Sequence, residues 1–188
     1  MVGIKVCGIF GYYNTDKINL PESKINAMGD IIGHRGPDGK GTYVSDGILL
    51  GNQRLSIIDV DNGNQPFYSE CGKVIVVQNG EIFNHLELAV ELEGSEYQCK
   101  TGSDTEVILR LYLKYGIEFI EKLNGMFAIA IFDHRTSELH LVRDRVGEKP
   151  LYYYKDGAKF IFASEIKSIL AAGIKRELNC NALDSFLS

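Results

Sequence analysis

The chain has 188 residues, enough to bury the core of one domain, and 45% hydrophobic beside 24% charged residues describes a globular protein. The 20 Lys and Arg against 25 Asp and Glu leave a net charge of -5, which argues against a nucleic-acid partner. No apolar stretch approaches a membrane span, and the first residues, with one Lys and no apolar run, are not a secretory signal. Cys7, Cys71, Cys99 and Cys180 lack paired spacing and read as free thiols of a reducing cytosol. His34, His85, His134 and His140 lack metal-ligand spacing, so no metal site is expected.

In chain order, residues 8–13 predict a first strand. Residues 21–32 predict a helix, with Pro21 at its start and Ile25, Met28 and Ile32 at helical spacing. Residues 48–58 and 74–78, rich in β-branched side chains, predict strands. Asn84 and Glu87 have the spacing of a capping box for a helix closed by Gly94. Ser103 and Glu106 repeat it before a helix over 107–115, which stops at Gly116. Residues 126–132, 139–143, 151–154 and 160–163 predict four successive strands. Strand runs with helices grouped between them favour α+β, and the unbroken apolar "MFAIAIF" implies a sheet covered on both faces, as in a layered sandwich. No linker or repeat divides the chain. Gly39-Lys40 is followed by Gly41 and fails as a P-loop, and no Gly-x-Ser-x-Gly elbow occurs.

Several residues have two readings each. Cys7, in "VCGIFG", is a packed thiol or a nucleophile, with Gly8 and Gly11 allowing close approach of another group. Asn79-Gly80 is a hairpin turn between apolar runs, or a side-chain amide and a backbone N–H converging on one oxygen as an oxyanion hole. Arg54 is a surface strand residue or a fork for a carboxylate. Asp104 favours the dipole of its helix or binds an ammonium, and Glu81 can do the latter too. Taken singly, the bland readings win or tie. Taken together, the set describes one ligand: an amino acid with a side-chain amide, for which glutamine is the natural candidate.

The stretches "CGIFGYY", "HRGPDGKG", "NQRLSIIDV", "QNGEIFN", "GSDTEV", "GMFAIAIFD", "RDRVGEKPLYY" and "FASEIKSIL" resemble the N-terminal glutaminase domain, a class II glutamine amidotransferase, of glutamine-dependent asparagine synthetases. The resemblance implies an N-terminal-nucleophile hydrolase fold, a four-layer αββα sandwich with two antiparallel sheets, over residues 7–188. It implies Cys7 as nucleophile and Asn79 with the Gly80 N–H as oxyanion hole. Arg54, with backbone help from Leu55 and Ile57, would hold the glutamine carboxylate, and Glu81 and Asp104 its amino group. It also implies a cytoplasmic enzyme, a C-terminal synthetase domain that is absent from this chain and uses ATP and Mg2+, no cofactor in the glutaminase domain, and a possible homodimer.

Three departures stand out. Gly39-Lys40 follows "HRGPD" where the family often has an aromatic residue, Asn64-Gln65-Pro66 replaces His-Gln-Pro, and Gln78 replaces the usual Phe before Asn-Gly-Glu. They leave room for a relative with a sugar or peptide acceptor. Residues 1–6 form an extension that makes the Cys7 nitrogen an amide, unable to act as a base. Initiation at Val6 with trimming, or self-cleavage before Cys7, would free it; with the extension in place, glutamine hydrolysis is not expected. If the extension lies over the glutamine pocket, it is a plug. A non-catalytic docking domain of the same fold is the alternative from another class. A hydrolase of some other amide, such as a penicillin, is the third reading.

Overall fold

The computed structural model describes residues 7–56, 58–178 and 180–187. The expected roles of Ile57 and of the 1–6 extension therefore lie outside the described residues. The elements are β1 (Gly8–Asn14), α1 (Glu22–Asp30), β2 (Gly39–Ser45), β3 (Ile48–Arg54), β4 (Phe67–Tyr68), β5 (Val74–Ile82), α2 (His85–Glu91) and α3 (Asp104–Tyr115). A 3-10 helix (Gly116–Lys122) leads into β6 (Gly125–Asp133), β7 (Glu138–Arg143), β8 (Tyr152–Asp156), β9 (Lys159–Ala163), α4 (Ile166–Ala171) and α5 (Cys180–Leu187).

One sheet has the order β2-β3-β1-β9-β8 and the other β4-β5-β6-β7, and every pairing is antiparallel. Strand periodicity divides their side chains among three cores. Ile9, Leu50, Ile75, Val77, Ala128, Ala130 and Phe162 meet between the sheets. Val76, Ile129 and Ile131 face Ile108 and Leu111 of α3, while Phe10, Leu49 and Ile161 face Met28 of α1 and Ile169 of α4. The result is the four-layer αββα arrangement, and "MFAIAIF" is covered on both faces because it lies between two of these cores.

Several local expectations are corrected. Asn79-Gly80 is not a turn: β5 runs on to Ile82 in unbroken register with β6, pairing Asn79 with Ala128 and Gly80 with Phe127. The long partner strand outweighs the dipeptide signal. The strand expected over 48–58 ends at Arg54, where its partner β2 begins at Gly39. Asn84 makes no capping bond; its side chain instead donates to Lys122 O and accepts from Asn124 N, tying the start of α2 to the approach to β6. Ser103 does cap α3, accepting from Thr105 N, but Glu106 turns to Lys100 N and Thr101 N rather than back to Ser103. Strands β2 and β4, the 3-10 helix, α4 and α5 carried no expectation. In β2, "GKGTYVS" is an edge strand whose residues alternate between half-buried and exposed, so its apolar signal is weak.

Candidate active site

The pairing of β1 with β3 places Gly8 opposite Gln53, which brings Cys7 beside Arg54 and Leu55. Cys7 is half-buried, with Leu55 N–H 3.3 Å from Sγ and Sγ 3.5 Å from Leu55 O. Its carbonyl accepts from Arg35 Nε at 3.0 Å, and Arg35 is fixed in turn by Glu165 at 3.1 Å. Burial pushes the Cys7 thiol above its ordinary pKa, opposed by the Leu55 N–H and the Arg54 charge. Cys7 therefore rests as a thiol near neutrality.

Cys7 opens onto a narrow cleft of about 50 Å³, smaller than the roughly 300–1,000 Å³ typical of small-molecule sites. Of the residues expected in the site, Arg54, Leu55, Gly80, Glu81 and Asp104 line it with Cys7. The Asn79 side chain, fully buried, does not; its Nδ2 lies 3.4 Å from Ser164 Oγ, a long contact that leaves donor capacity, and its Oδ1 has no partner among the described residues.

Gly80 supplies a donor that is open among the described residues, for a topological reason. Phe127, opposite it, engages Asp144 with both its N–H and its C=O. Gly80 and Phe127 are thus a non-hydrogen-bonded pair, and the Gly80 N–H points away from β6. On that edge of β5, Gln78 N–H donates to Gln65 Oε1 at 2.6 Å and Ile82 N–H to Asp104 Oδ2 at 3.1 Å. The Gly80 N–H stands between these two satisfied donors, facing the cleft. Glycine is required there: φ is +146°, and a Cβ would collide with the Met126 carbonyl.

Asp104 starts α3, and Gln78 Nε2 donates to its Oδ2 at 2.9 Å. Burial raises the Asp104 pKa, opposed by the Ile82 N–H, the Gln78 amide and the nearby His85. On the opposite side, Arg54 donates through Nη1 to Val60 O and Asn64 Oδ1, and through Nη2 to Ile58 O and Asp59 O, at 2.7–3.3 Å. Its Nε–H has no partner among the described residues. Gly63 packs so close that a Cβ would meet Arg54 Nη2 at 2.5 Å. Asp59 Oδ2 accepts from Gly102 N at 2.9 Å, joining this loop to the approach to α3.

Sequence reasoning missed Gln65, Gln78, Thr105, Arg35 and Ser164. Gln78 was noticed as a departure, but its partnership with Asp104 leaves no sequence signal. Among the described residues no group of three or more His, Cys, Asp or Glu could hold a metal ion, and no helix is long and apolar enough to cross a membrane.

The chain is similar to known proteins in sequence and in fold. The chain is 39% identical over 205 residues to a putative glutamine-hydrolyzing asparagine synthetase 2 of Methanocaldococcus jannaschii, covering 97% of this chain and 39% of that protein. It is 41% identical over 168 residues to the glutamine-hydrolyzing asparagine synthetase B of Escherichia coli K12, covering 88% of this chain and 30% of that protein. The chain thus spans well under half the length of these relatives. Its fold matches that of the glutamine phosphoribosylpyrophosphate amidotransferase from B. subtilis, with a TM-score of 0.72 at 23% identity over 89% of this chain and 44% of that one. That is the expected N-terminal-nucleophile hydrolase sandwich. Residues 6–188 match the family model of the glutamine amidotransferase domain, and the chain belongs to that family.

Proposed function

We propose that this domain hydrolyses L-glutamine to glutamate and ammonia through a thioester on Cys7. The observation that carries the reading is the open Gly80 N–H, held between two satisfied donors on the same cleft as the Cys7 thiol. Cys7 Sγ attacks the side-chain amide carbon. Charge developing on the amide oxygen meets the Gly80 N–H, a donor that stabilises the transition state more than the neutral amide; the Asn79 amide, behind the cleft wall, must turn from Ser164 Oγ to serve as the second donor. The C–N bond breaks, the thiol proton is passed to the departing nitrogen, and ammonia leaves. Water then adds to the thioester, the C–S bond breaks, and glutamate and the free thiol result.

Arg54 with Leu55 and Ile57 takes the α-carboxylate, and Glu81 with Asp104 the α-ammonium. A buried thiol needs a base. A free Cys7 α-amine, of pKa roughly 7.7–8.0, would serve, but in the chain as written Val6 acylates it. Competence therefore depends on removal of residues 1–6 or on initiation at Val6 followed by trimming. The step as written needs no cofactor. ATP and Mg2+ would serve a synthetase domain that receives the ammonia, with asparagine as the product if the acceptor matches the relatives' names. A cytoplasmic setting and a homodimer accord with that reading.

The test is a chain starting at Cys7, incubated with L-glutamine and assayed for glutamate and ammonia, with Cys7→Ala as control. Release by the former and none by the latter is expected. Mass spectrometry of protein from the native host should show Cys7 at the terminus; glutaminase activity with Met1 retained would overturn the amine-base mechanism. A second reading, a docking domain without catalysis, is favoured by one observation: every Nη hydrogen of Arg54 already bonds the protein's own loop. No glutamate from the Cys7-initiated chain would establish it.

A further inference from the structure

Gln78 lies two residues before Gly80 on the donor edge of β5 and is buried, yet it plays no part in the mechanism above. A neutral amide in such a place must have its oxygen and nitrogen satisfied separately. Its Oε1 accepts from Thr105 Oγ1 at 3.0 Å and its Nε2 donates to Asp104 Oδ2 at 2.9 Å. Thr105 Oγ1 in turn accepts from Gln65 Nε2 at 3.2 Å, so the hydroxyl hydrogen is committed to Gln78. Gln65 Oε1 closes the ring by accepting from the Gln78 backbone N–H. Each hydrogen has one place in this ring. The Gln78 amide can present only N–H, never oxygen, to Asp104.

We propose that Gln78 is the positioning residue for substrate ammonium recognition: with the Ile82 N–H it directs two donors onto one oxygen of Asp104 and so turns the other oxygen to the cleft. This rests on the glutaminase reading above. The ring links three stretches that each contribute to the site: Gln65 beside the Arg54 loop, Gln78 on β5 and Thr105 at the start of α3. An aliphatic side chain at position 78 would leave Asp104 Oδ2 with one donor fewer and Thr105 without its acceptor, freeing the carboxylate to rotate.

The test compares Gln78→Leu and Gln78→Glu with the unsubstituted, Cys7-initiated chain on two substrates: L-glutamine, and glutaramate, which lacks the α-amino group. Gln78→Leu should raise KM for L-glutamine about tenfold, as for loss of one hydrogen bond to a charged group, with kcat little changed. Hydrolysis of glutaramate should be unaffected, because it offers Asp104 no ammonium. Gln78→Glu, which keeps the size but turns a carboxylate on Asp104, should raise KM for L-glutamine at least as far. Equal losses on both substrates, or a fall in kcat at constant KM, would overturn the proposal. Melting temperatures close to that of the unsubstituted chain confirm that the ring acts on recognition rather than on folding. An unsubstituted chain with no glutaminase activity would instead refute the functional reading itself.

Discussion

The two sides of the cleft are built in different ways. On one side, β5 and the first turn of α3 meet Asp104 with buried groups of the fold itself: the Ile82 N–H, the Gln78 amide and, through it, Thr105, with half-buried Gln65 of the preceding loop behind them. On the other, Arg54 leaves the end of β3 and is gripped by carbonyls of residues 58–60 and by Asn64. The carboxylate is fixed by secondary structure that cannot move without opening a core. The guanidinium is fixed by a loop that is tied to the fold by single side-chain bonds: Asp59 to the Gly102 N–H, Asp38 to the Ser56 N–H, and Gln65 at its far end to Gln78 and Thr105. The first side is ready for an ammonium. The second must exchange some of its own carbonyls for a substrate carboxylate, or receive that carboxylate at Nε.

The largest effect that would sharpen this contrast is expected from Asp104→Asn. The amide can still accept from Ile82 N–H, so the fold should persist, but the charge that pairs with an ammonium is gone. KM for L-glutamine should rise about 10–100-fold by steady-state kinetics. The unsubstituted site should also show a rise in KM as pH falls. Burial raises the Asp104 pKa, so the carboxylate takes up its proton, and loses its charge, at a higher pH than an exposed one. Asp104→Asn should abolish that acid limb, and a limb that persists would show that Asp104 is not its source.

Arg54→Lys should come next. Lysine keeps the charge but cannot reproduce a planar fork that satisfies four acceptors. We expect a loss of about 1–3 kcal/mol in denaturant unfolding, a KM rise of about tenfold, and faster hydrogen exchange over residues 58–64. Unchanged exchange there would show the loop to be as rigid as the opposite side and break the comparison. The smallest effect is expected from Asp59→Ala, which releases the tie to Gly102 and the local bonds to Asn62 and places Ala at a φ of 43° that Asp tolerates better. Exchange at Gly102 should quicken while kcat stays the same.

The charged and thiol residues of the cleft were legible because their chemistry is sparse and specific: one Cys ahead of Gly8 and Gly11, one Arg in a strand, one Asp at a helix start. The neutral groups that orient them were not. Gln65, Gln78 and Thr105 are far apart in sequence and of types that usually face solvent, and only the approach of β5 to α3 makes them a ring. Asn79-Gly80 shows the same limit from the other side. Its local turn propensity is real, but nine paired positions between β5 and β6 override it.

The sequence by itself determined the strand and helix pattern of a layered α+β domain, the family, and the residue types that suit an amino acid with a side-chain amide. Those follow from periodicity and chemistry, which are local or additive along the chain. Tertiary structure alone decided which donors remain open. Whether the Gly80 N–H is bonded depends on how Phe127 is engaged by Asp144, and whether Arg54 is free depends on where a loop folds back. Hydrogen bonds are satisfied in competition among neighbours in space, and that competition has no counterpart in the linear order of residues.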